Sequence, residues 1–353
     1  MSGKMSKERT SFMRLVVQMV FSFLLASTLS NCSLVGASKD KLLKSVHLSE
    51  AINLASISLD GQILAAVDKS DPTSGNYAIK IIQISDGRTR YLTDKYPVYS
   101  VAFDSQGTMF GAAGRDGVRI FRTSDGRLLR TIEGNQIFSL AFSPDGQTVA
   151  TGGAEGEVEI WRVSDGVSLH RFQVGKWISS LAFTANGEEL AAGTSANIGF
   201  VRRTDASTED NSIVLWHVNG NEFLGSLSGH KYGVLSLAFS DNGDRLASGG
   251  ADGIVKIWSV QERSLLRSKQ MATRSGGSED TQLTIDDLAF SPDNKTLAVT
   301  YDAQVVLMDS ETLTTQSTLE GHTKPVLRVH FNRAGTEIAS VSEDQTIRIW
   351  KVG

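Results

Sequence analysis

The chain has 353 residues, of which 40 % are hydrophobic, 21 % charged and 7 % aromatic, with a formal net charge of -4. That balance excludes a disordered chain, which would be poorer in apolar residues, and excludes a field that would draw the protein to nucleic acid or anionic lipid. A single cysteine excludes intramolecular disulfides, four-cysteine zinc sites and CxxC redox chemistry.

The chain opens with a leader. Lys4, Lys7, Arg9 and Arg14 stand against one acid, Glu8, and an apolar run follows from Leu15 to Leu29. As a helix this run would span about 22 Å, short of the roughly 20 apolar residues a bilayer crossing needs. A basic leader before a short apolar core reads as a secretory signal. The run ends at Leu29-Ser30-Asn31-Cys32, on the lone cysteine. These residues resemble the bacterial lipoprotein signal. The resemblance implies removal of residues 1–31, a diacylglycerol on the Cys32 thiol with palmitate-type acylation, and a tether over residues 32–41. The protein would then sit at the cell envelope, held on the extracytoplasmic side of a membrane. Simple secretion, into the periplasm or beyond, and an uncleaved anchor are the alternatives that the residues leave open.

The rest of the chain is a repeat. A large apolar residue followed four positions on by Gly or Asn recurs at Ile57–Gly61, Phe103–Gly107, Phe142–Gly146, Phe183–Gly187, Phe239–Gly243, Phe290–Asn294 and Phe331–Gly335. Each unit reads the same way. A period-2 strand precedes the turn, as in Ser139–Phe142. Pro-Asp-Gly or Asn-Gly then supplies hairpin geometry. An Ala-rich second strand follows, and a third ends in a large residue: Trp161, Trp216, Trp258 and Trp350, with Ile82–Ile84, Phe121 and Leu307-Met308 in the other units. A fourth strand such as Arg127–Ile132 follows a Ser-Asp-Gly turn. The last unit stops at Gly353 without its fourth strand, and Leu42–Val46 near the start reads like the missing piece.

Two units carry a further set: Gly229-His230, Ser248, Asp252 and Trp258, and Gly321-His322, Ser340, Asp344 and Trp350. With the repeats, these residues resemble the WD40 family over residues 42–353. The resemblance implies an all-β, seven-bladed β-propeller closed by an amino-terminal strand that completes the last blade. It also implies that each His, Ser, Asp and Trp form a hydrogen-bond relay inside a blade. Blade 3 keeps Thr151, Glu155 and Trp161 without a histidine, and blade 2 keeps Asp116 beside Phe121.

Catalytic signatures are missing from the sequence. There is no GxSxG elbow, HExxH pair, phosphate loop or full calcium-loop string, so no catalytic, cofactor or metal site is expected. The interest moves to one face, the top, which holds the connections from the second to the third strand and from the fourth strand to the next blade. Three insertions map there: Asp68–Tyr77, Ser195–Asn211 and Met271–Thr281. They are either binding loops on a rigid scaffold or simply tolerated insertions. In the resembled family, partners contact residues just before the first strand and just before the turn aspartate. By register these are Pro97, Tyr99, Gln136, Phe138, Trp177, Leu235, Asp286, Pro325 and Leu327, with Arg115 and Glu343 ahead of Asp116 and Asp344. Trp177 is the one tryptophan outside the repeated position, either an exposed hot spot or a residue packed under the blade 4 insertion. The expected function is a non-catalytic scaffold, monomeric itself, tethered through Cys32 and binding a protein or peptide rather than nucleic acid through the top face. The alternatives are a propeller hydrolase or lyase using acids such as Asp286 and Asp287 at the central channel, and a structural subunit of an envelope assembly complex.

Overall fold

The computed structural model describes residues 41–48, 52–58, 60–68, 77–94, 96–195, 211–271 and 284–352. The leader, Cys32, the tether to residue 40 and the interiors of the three insertions lie outside the described residues. Among the described residues no helix is long and apolar enough to cross a membrane.

Among the described residues, twenty-eight strands form seven four-stranded antiparallel sheets. The chain begins with β1 (Leu42–His47). Blade 1 holds β2 (Ile52–Ile57), β3 (Ile63–Asp68), β4 (Tyr77–Gln83) and β5 (Thr89–Asp94). Blade 2 holds β6 (Val98–Phe103), β7 (Met109–Gly114), β8 (Gly117–Arg122) and β9 (Leu128–Glu133). Blade 3 holds β10 (Ile137–Phe142), β11 (Thr148–Gly153), β12 (Glu157–Arg162) and β13 (Ser168–Gln173). Blade 4 holds β14 (Trp177–Phe183), β15 (Glu189–Ser195), β16 (Asn211–His217) and β17 (Glu222–His230). Blade 5 holds β18 (Val234–Phe239), β19 (Arg245–Gly250), β20 (Ile254–Ser259) and β21 (Ser264–Gln270). Blade 6 holds β22 (Leu288–Phe290), β23 (Thr296–Tyr301), β24 (Gln304–Asp309) and β25 (Thr315–Glu320). Blade 7 holds β26 (Val326–Phe331), β27 (Glu337–Ser342) and β28 (Thr346–Lys351), and its outer strand is β1.

That last pairing closes the ring. Leu42 to His47 run antiparallel to β28, with Val46 opposite Ile347. The Lys44 ammonium donates to the Ile84 and Ser85 carbonyls of blade 1, so the closing strand also touches the next blade. Closure removes the open sheet edge that would otherwise invite pairing with another chain.

Turn chemistry explains why each hairpin forms. In blade 3 the Ser143 hydroxyl donates to Asp145 at 2.6 Å while the Thr148 N–H donates back to Ser143, and Gly146 takes a φ of 69° that a side chain would resist. Apolar residues of each blade pack against the next, giving seven clusters in sequence around the ring. One joins Ala339, Val341 and Ile347 of blade 7 to Ala55, Leu64 and Ile82 of blade 1. The second strands are small because the neighbouring blade presses on them: a Cβ added at Gly152 would stand 2.4 Å from Ile178. The large residues of the third strands occupy one register. Trp161, Trp216, Trp258 and Trp350 sit opposite Val149, Leu190, Leu246 and Ile338. Of the candidates in the other blades, Ile82, Phe121 and Met308 take that register.

Candidate interaction face

The top face is built by the two kinds of connection that meet there. In blade 5 the Met271 N–H, at the end of the fourth strand, donates to Gly253 in the turn between the second and third strands. The Ala251 N–H donates to Gly233 on the approach to the first strand. The described flanks of the insertions, Asp68 and Tyr77, Ser195 and Asn211, Met271 and Thr284, belong to these connections.

A repeated irregularity shapes the inner edge of this face. The first strand of six blades slips register once against the second, leaving one extra residue: Asn53, Tyr99, Phe138, Ser179, Leu235 and Leu327. Such bulges bend a strand and re-aim the extra side chain. In blade 6 the equivalent position is Asp286, ahead of the short β22. Tyr99, Phe138, Leu235, Asp286 and Leu327, each four residues before its anchor, fall at this position, and Trp177, like Pro97, Gln136 and Pro325, lies two residues ahead of it. The blade 4 bulge is Ser179, whose hydroxyl donates to the Val234 carbonyl of blade 5 at 2.6 Å.

Trp177 nevertheless joins its neighbours. Tyr99 and Phe138 have ring centroids 5.3 Å apart, and Phe138 and Trp177 5.9 Å apart, so three half-buried rings make a continuous arc over blades 2, 3 and 4. These are favourable aromatic separations. Burial, with the nearby Tyr77, pushes the Tyr99 phenol above its ordinary value, while Arg115 pulls it down. Arg115 is exposed on the adjacent turn, and its neighbour Asp116 accepts two hydrogen bonds from Arg119, at 2.8 and 3.0 Å. Leu235, Asp286, Leu327 and Glu343 are half-buried on blades 5, 6 and 7, across the ring from the arc.

The acidic pair near the axis has a different use. Asp287 accepts from the Ser236 hydroxyl of blade 5 and from the Val329 N–H of blade 7, and so ties three inner strands together. Arg328 continues the tie by donating to Ala55 of blade 1. Burial drives both Asp286 and Asp287 above the ordinary carboxylate range, against the pull of Arg328 and, for Asp286, the Thr284 hydroxyl. This brace replaces serine at the matching position of blades 2 to 5 (Ser100, Ser139, Ser180, Ser236), a departure that could have been read from the aligned repeats. Among the described residues no three carboxylate, thiol or imidazole groups converge closely enough to hold a metal ion.

Both relays are assembled. His230 Nδ1 lies 3.0 Å from Asp252 and Nε2 2.7 Å from Ser248, whose oxygen accepts from Trp258 Nε1 at 2.8 Å. In blade 7 the corresponding distances are 3.0 Å to Asp344, 2.8 Å to Ser340 and 2.8 Å from Trp350. The network assigns the proton: Nδ1–H donates to the carboxylate, and Nε2 accepts from the serine. Each carboxylate also accepts a backbone N–H, from Lys231 or Thr323, and so anchors the loop leading to the next blade. Thr346 adds a hydroxyl between His322 and Asp344 that spacing alone did not reveal. Burial lowers the His322 pKa below its ordinary 6.5 despite the adjacent carboxylate.

Comparison with known proteins agrees with this architecture. The family described as "WD domain, G-beta repeat" matches residues 221–259 and 313–351, and "Anaphase-promoting complex subunit 4 WD40 domain" matches residues 109–186. Protein hir1 of Schizosaccharomyces pombe is 28 % identical over 185 residues, covering 50 % of this chain and 20 % of that protein. Guanine nucleotide-binding protein subunit beta-like protein 1 of Mus musculus is 28 % identical over 148 residues, 42 % of this chain and 43 % of that one. WD repeat and HMG-box DNA-binding protein 1 of Xenopus laevis is 30 % identical over 155 residues, 35 % of this chain and 14 % of that protein. The matched segment is thus less than half the length of each of these relatives. Seven four-stranded sheets, closed into a ring and carrying matches to WD repeats, make this chain a seven-bladed β-propeller.

Proposed function

We propose that the protein is a non-catalytic scaffold that binds a protein or peptide through its top face. One observation carries the reading: Tyr99, Phe138 and Trp177 form an unbroken aromatic arc across three blades on the face where the insertions emerge. Large, stiff, amphipathic rings on a rigid frame offer contact area at low entropic cost, which is why they dominate interface hot spots. The acids near the axis favour this reading over an enzyme, because Asp287 is engaged as a brace between blades.

The test places a photo-crosslinking amino acid in the full chain at Gln136, beside the arc, or at Asp145, in a turn on the opposite face. Crosslinks in native extract are expected from the first position and to fall about tenfold or more when Trp177→Ala is added, the size of loss a central hot spot gives. Equal capture from both positions, or capture indifferent to Trp177→Ala in a folded variant, would overturn the reading. Membrane tethering through Cys32 belongs to the same proposal and rests on the leader. Cys32→Ser is expected to release the protein from the membrane fraction and abolish acyl labelling, and an unchanged fraction sinks the tether alone.

A further inference from the structure

We propose that the gap between blades 2 and 3 is a pocket for an arginine side chain of the partner, a reading that rests on the top face being the partner's surface. The pocket is a cavity of about 220 Å³ between the end of β9 and the second and third strands of blade 3. Superposing the repeats on their anchors explains why it exists. Counting from Phe142 and Phe239, Trp161 matches Trp258, Thr151 matches Ser248 and Glu155 matches Asp252. The indole–hydroxyl bond is kept, since Trp161 Nε1 donates to Thr151 at 2.9 Å. The residue matching His230 is Glu133, which is exposed, so no imidazole fills the space between Thr151 and Glu155.

A second exchange points the same way. In both complete blades the chain sets its own cation over the tryptophan: Lys256 Nζ lies 5.8 Å from the Trp258 ring, and the Arg348 guanidinium 5.8 Å from that of Trp350. The matching residue in blade 3 is Glu159. Blade 3 has therefore replaced both the imidazole and the covering cation with carboxylates, and has kept the indole as a wall.

The lining follows from these exchanges. Carboxylates grade from exposed Glu133 and Glu155, through half-buried Glu157, to buried Glu159, against one guanidinium, Arg171. Arg171 bridges the two inner carboxylates, at 2.7 Å from Glu159 and 3.6 Å from Glu157, and the Ser168 hydroxyl also donates to Glu159, so the rim pair Glu133 and Glu155 faces the guest. Glu155 accepts from Asn135 at 2.8 Å, which holds the rim in place. The volume exceeds the roughly 150 Å³ that admits a benzene-sized guest but falls below the 300–1,000 Å³ or so of drug-sized sites. One side chain fits it. A guanidinium matches best: it is flat enough to lie on an indole, and its donors fork onto carboxylates. The rim residues Glu133 and Asn135 lead directly into Gln136 and Phe138, so a peptide lying on the aromatic arc can drop one side chain into the pocket.

The experiment titrates the full chain with N-acetylarginine amide while following the indole N–H resonance of Trp161, assigned with Trp161→Phe. A saturable shift is expected, with the neutral isostere N-acetylcitrulline amide at least about tenfold weaker. Glu133→Gln/Glu155→Gln should weaken the arginine probe by about tenfold. Glu133→His/Glu155→Asp rebuilds the imidazole and carboxylate of blade 5, and is expected to raise Tm and abolish the shift. An unmoved Trp161 resonance, equal response to the citrulline probe, or full binding by the rebuilt variant would each overturn the proposal. Because the probe is measured without any partner, failure here leaves the surface reading standing, and failure of the crosslinking test leaves the pocket standing.

Discussion

Thr123 follows the third strand of blade 2 at a position that Ile84, Val163, Val218, Val260 and Val352 fill in other blades. It is 5 % exposed, and its hydroxyl has no hydrogen-bond partner among the described residues. Ser310, the other hydroxyl at this register, donates to the Asn294 carbonyl and so avoids that fate. A buried hydroxyl without a partner carries its desolvation cost uncompensated. Thr123→Val keeps the shape and is expected to stabilise the protein by about 1 kcal/mol, read as a rise in chemical-denaturation midpoint at unchanged slope. An unchanged or lower midpoint would show that the hydroxyl is satisfied after all. His230 and Asp252, or His322 and Asp344, announce themselves because the types are rare and the spacing recurs. The exchange of a lysine or arginine for Glu159 means nothing until the strand register shows that it holds the position from which Lys256 and Arg348 cover a tryptophan.

Strand β1 was legible for the same reason as the relays: Leu42–Val46 repeats the pattern of Leu128–Ile132, and the last blade lacked a partner for it. The bulges were not legible, because a bulge is a property of two strands in register and leaves no fixed residue type: Tyr, Phe, Ser and Leu all occupy it. Trp177 shares the register of Gln136, two residues ahead of the bulge that Phe138 occupies, and its ring nonetheless meets that of Phe138. The closing strand carries a sharper consequence. Leu48 N–H donates to the Gln345 carbonyl, so by antiparallel alternation Val46 also directs its N–H into the ladder, toward Ile347. Its side chain packs on the cluster between blades 7 and 1. Val46→Pro should cost about 3 kcal/mol, the scale of a lost ladder bond plus steric conflict. It should speed hydrogen exchange in Thr346–Lys351 before any other strand. Uniform exchange across all blades would mean that the ring does not open at this seam.

Proton linkage belongs to the whole fold, because it compares every group in the ring with the same group in the unfolded chain. The repeated turns contribute alike. Asp86, Asp125 and Asp165 are lowered chiefly by the backbone N–H two residues on, and Asp145 and Asp293 chiefly by the serine hydroxyl of their own turn. A depressed carboxyl stabilises the fold above its ordinary 3.8 and loses that contribution as pH falls through the folded value. Asp286 and Asp287, raised by burial, run the other way and ease as acid protonates them. His322 has an ordinary value of 6.5, close to neutrality, and opposing forces act on it: burial, helped by Arg348, favours the neutral ring, and Asp344 favours the cation. Burial prevails, so the folded His322 pKa lies below 6.5 and the unfolded chain takes up the proton first. The contribution of this ring is therefore complete above pH 6.5 and is lost as pH falls through the folded value. His322→Asn removes that dependence while leaving every other group in place. The gap in unfolding free energy between wild type and His322→Asn should accordingly be widest near pH 7.5 and narrow steadily toward pH 5. A gap that widened on acidification would mean that the relay holds an imidazolium, with Asp344 rather than burial setting the charge at the seam.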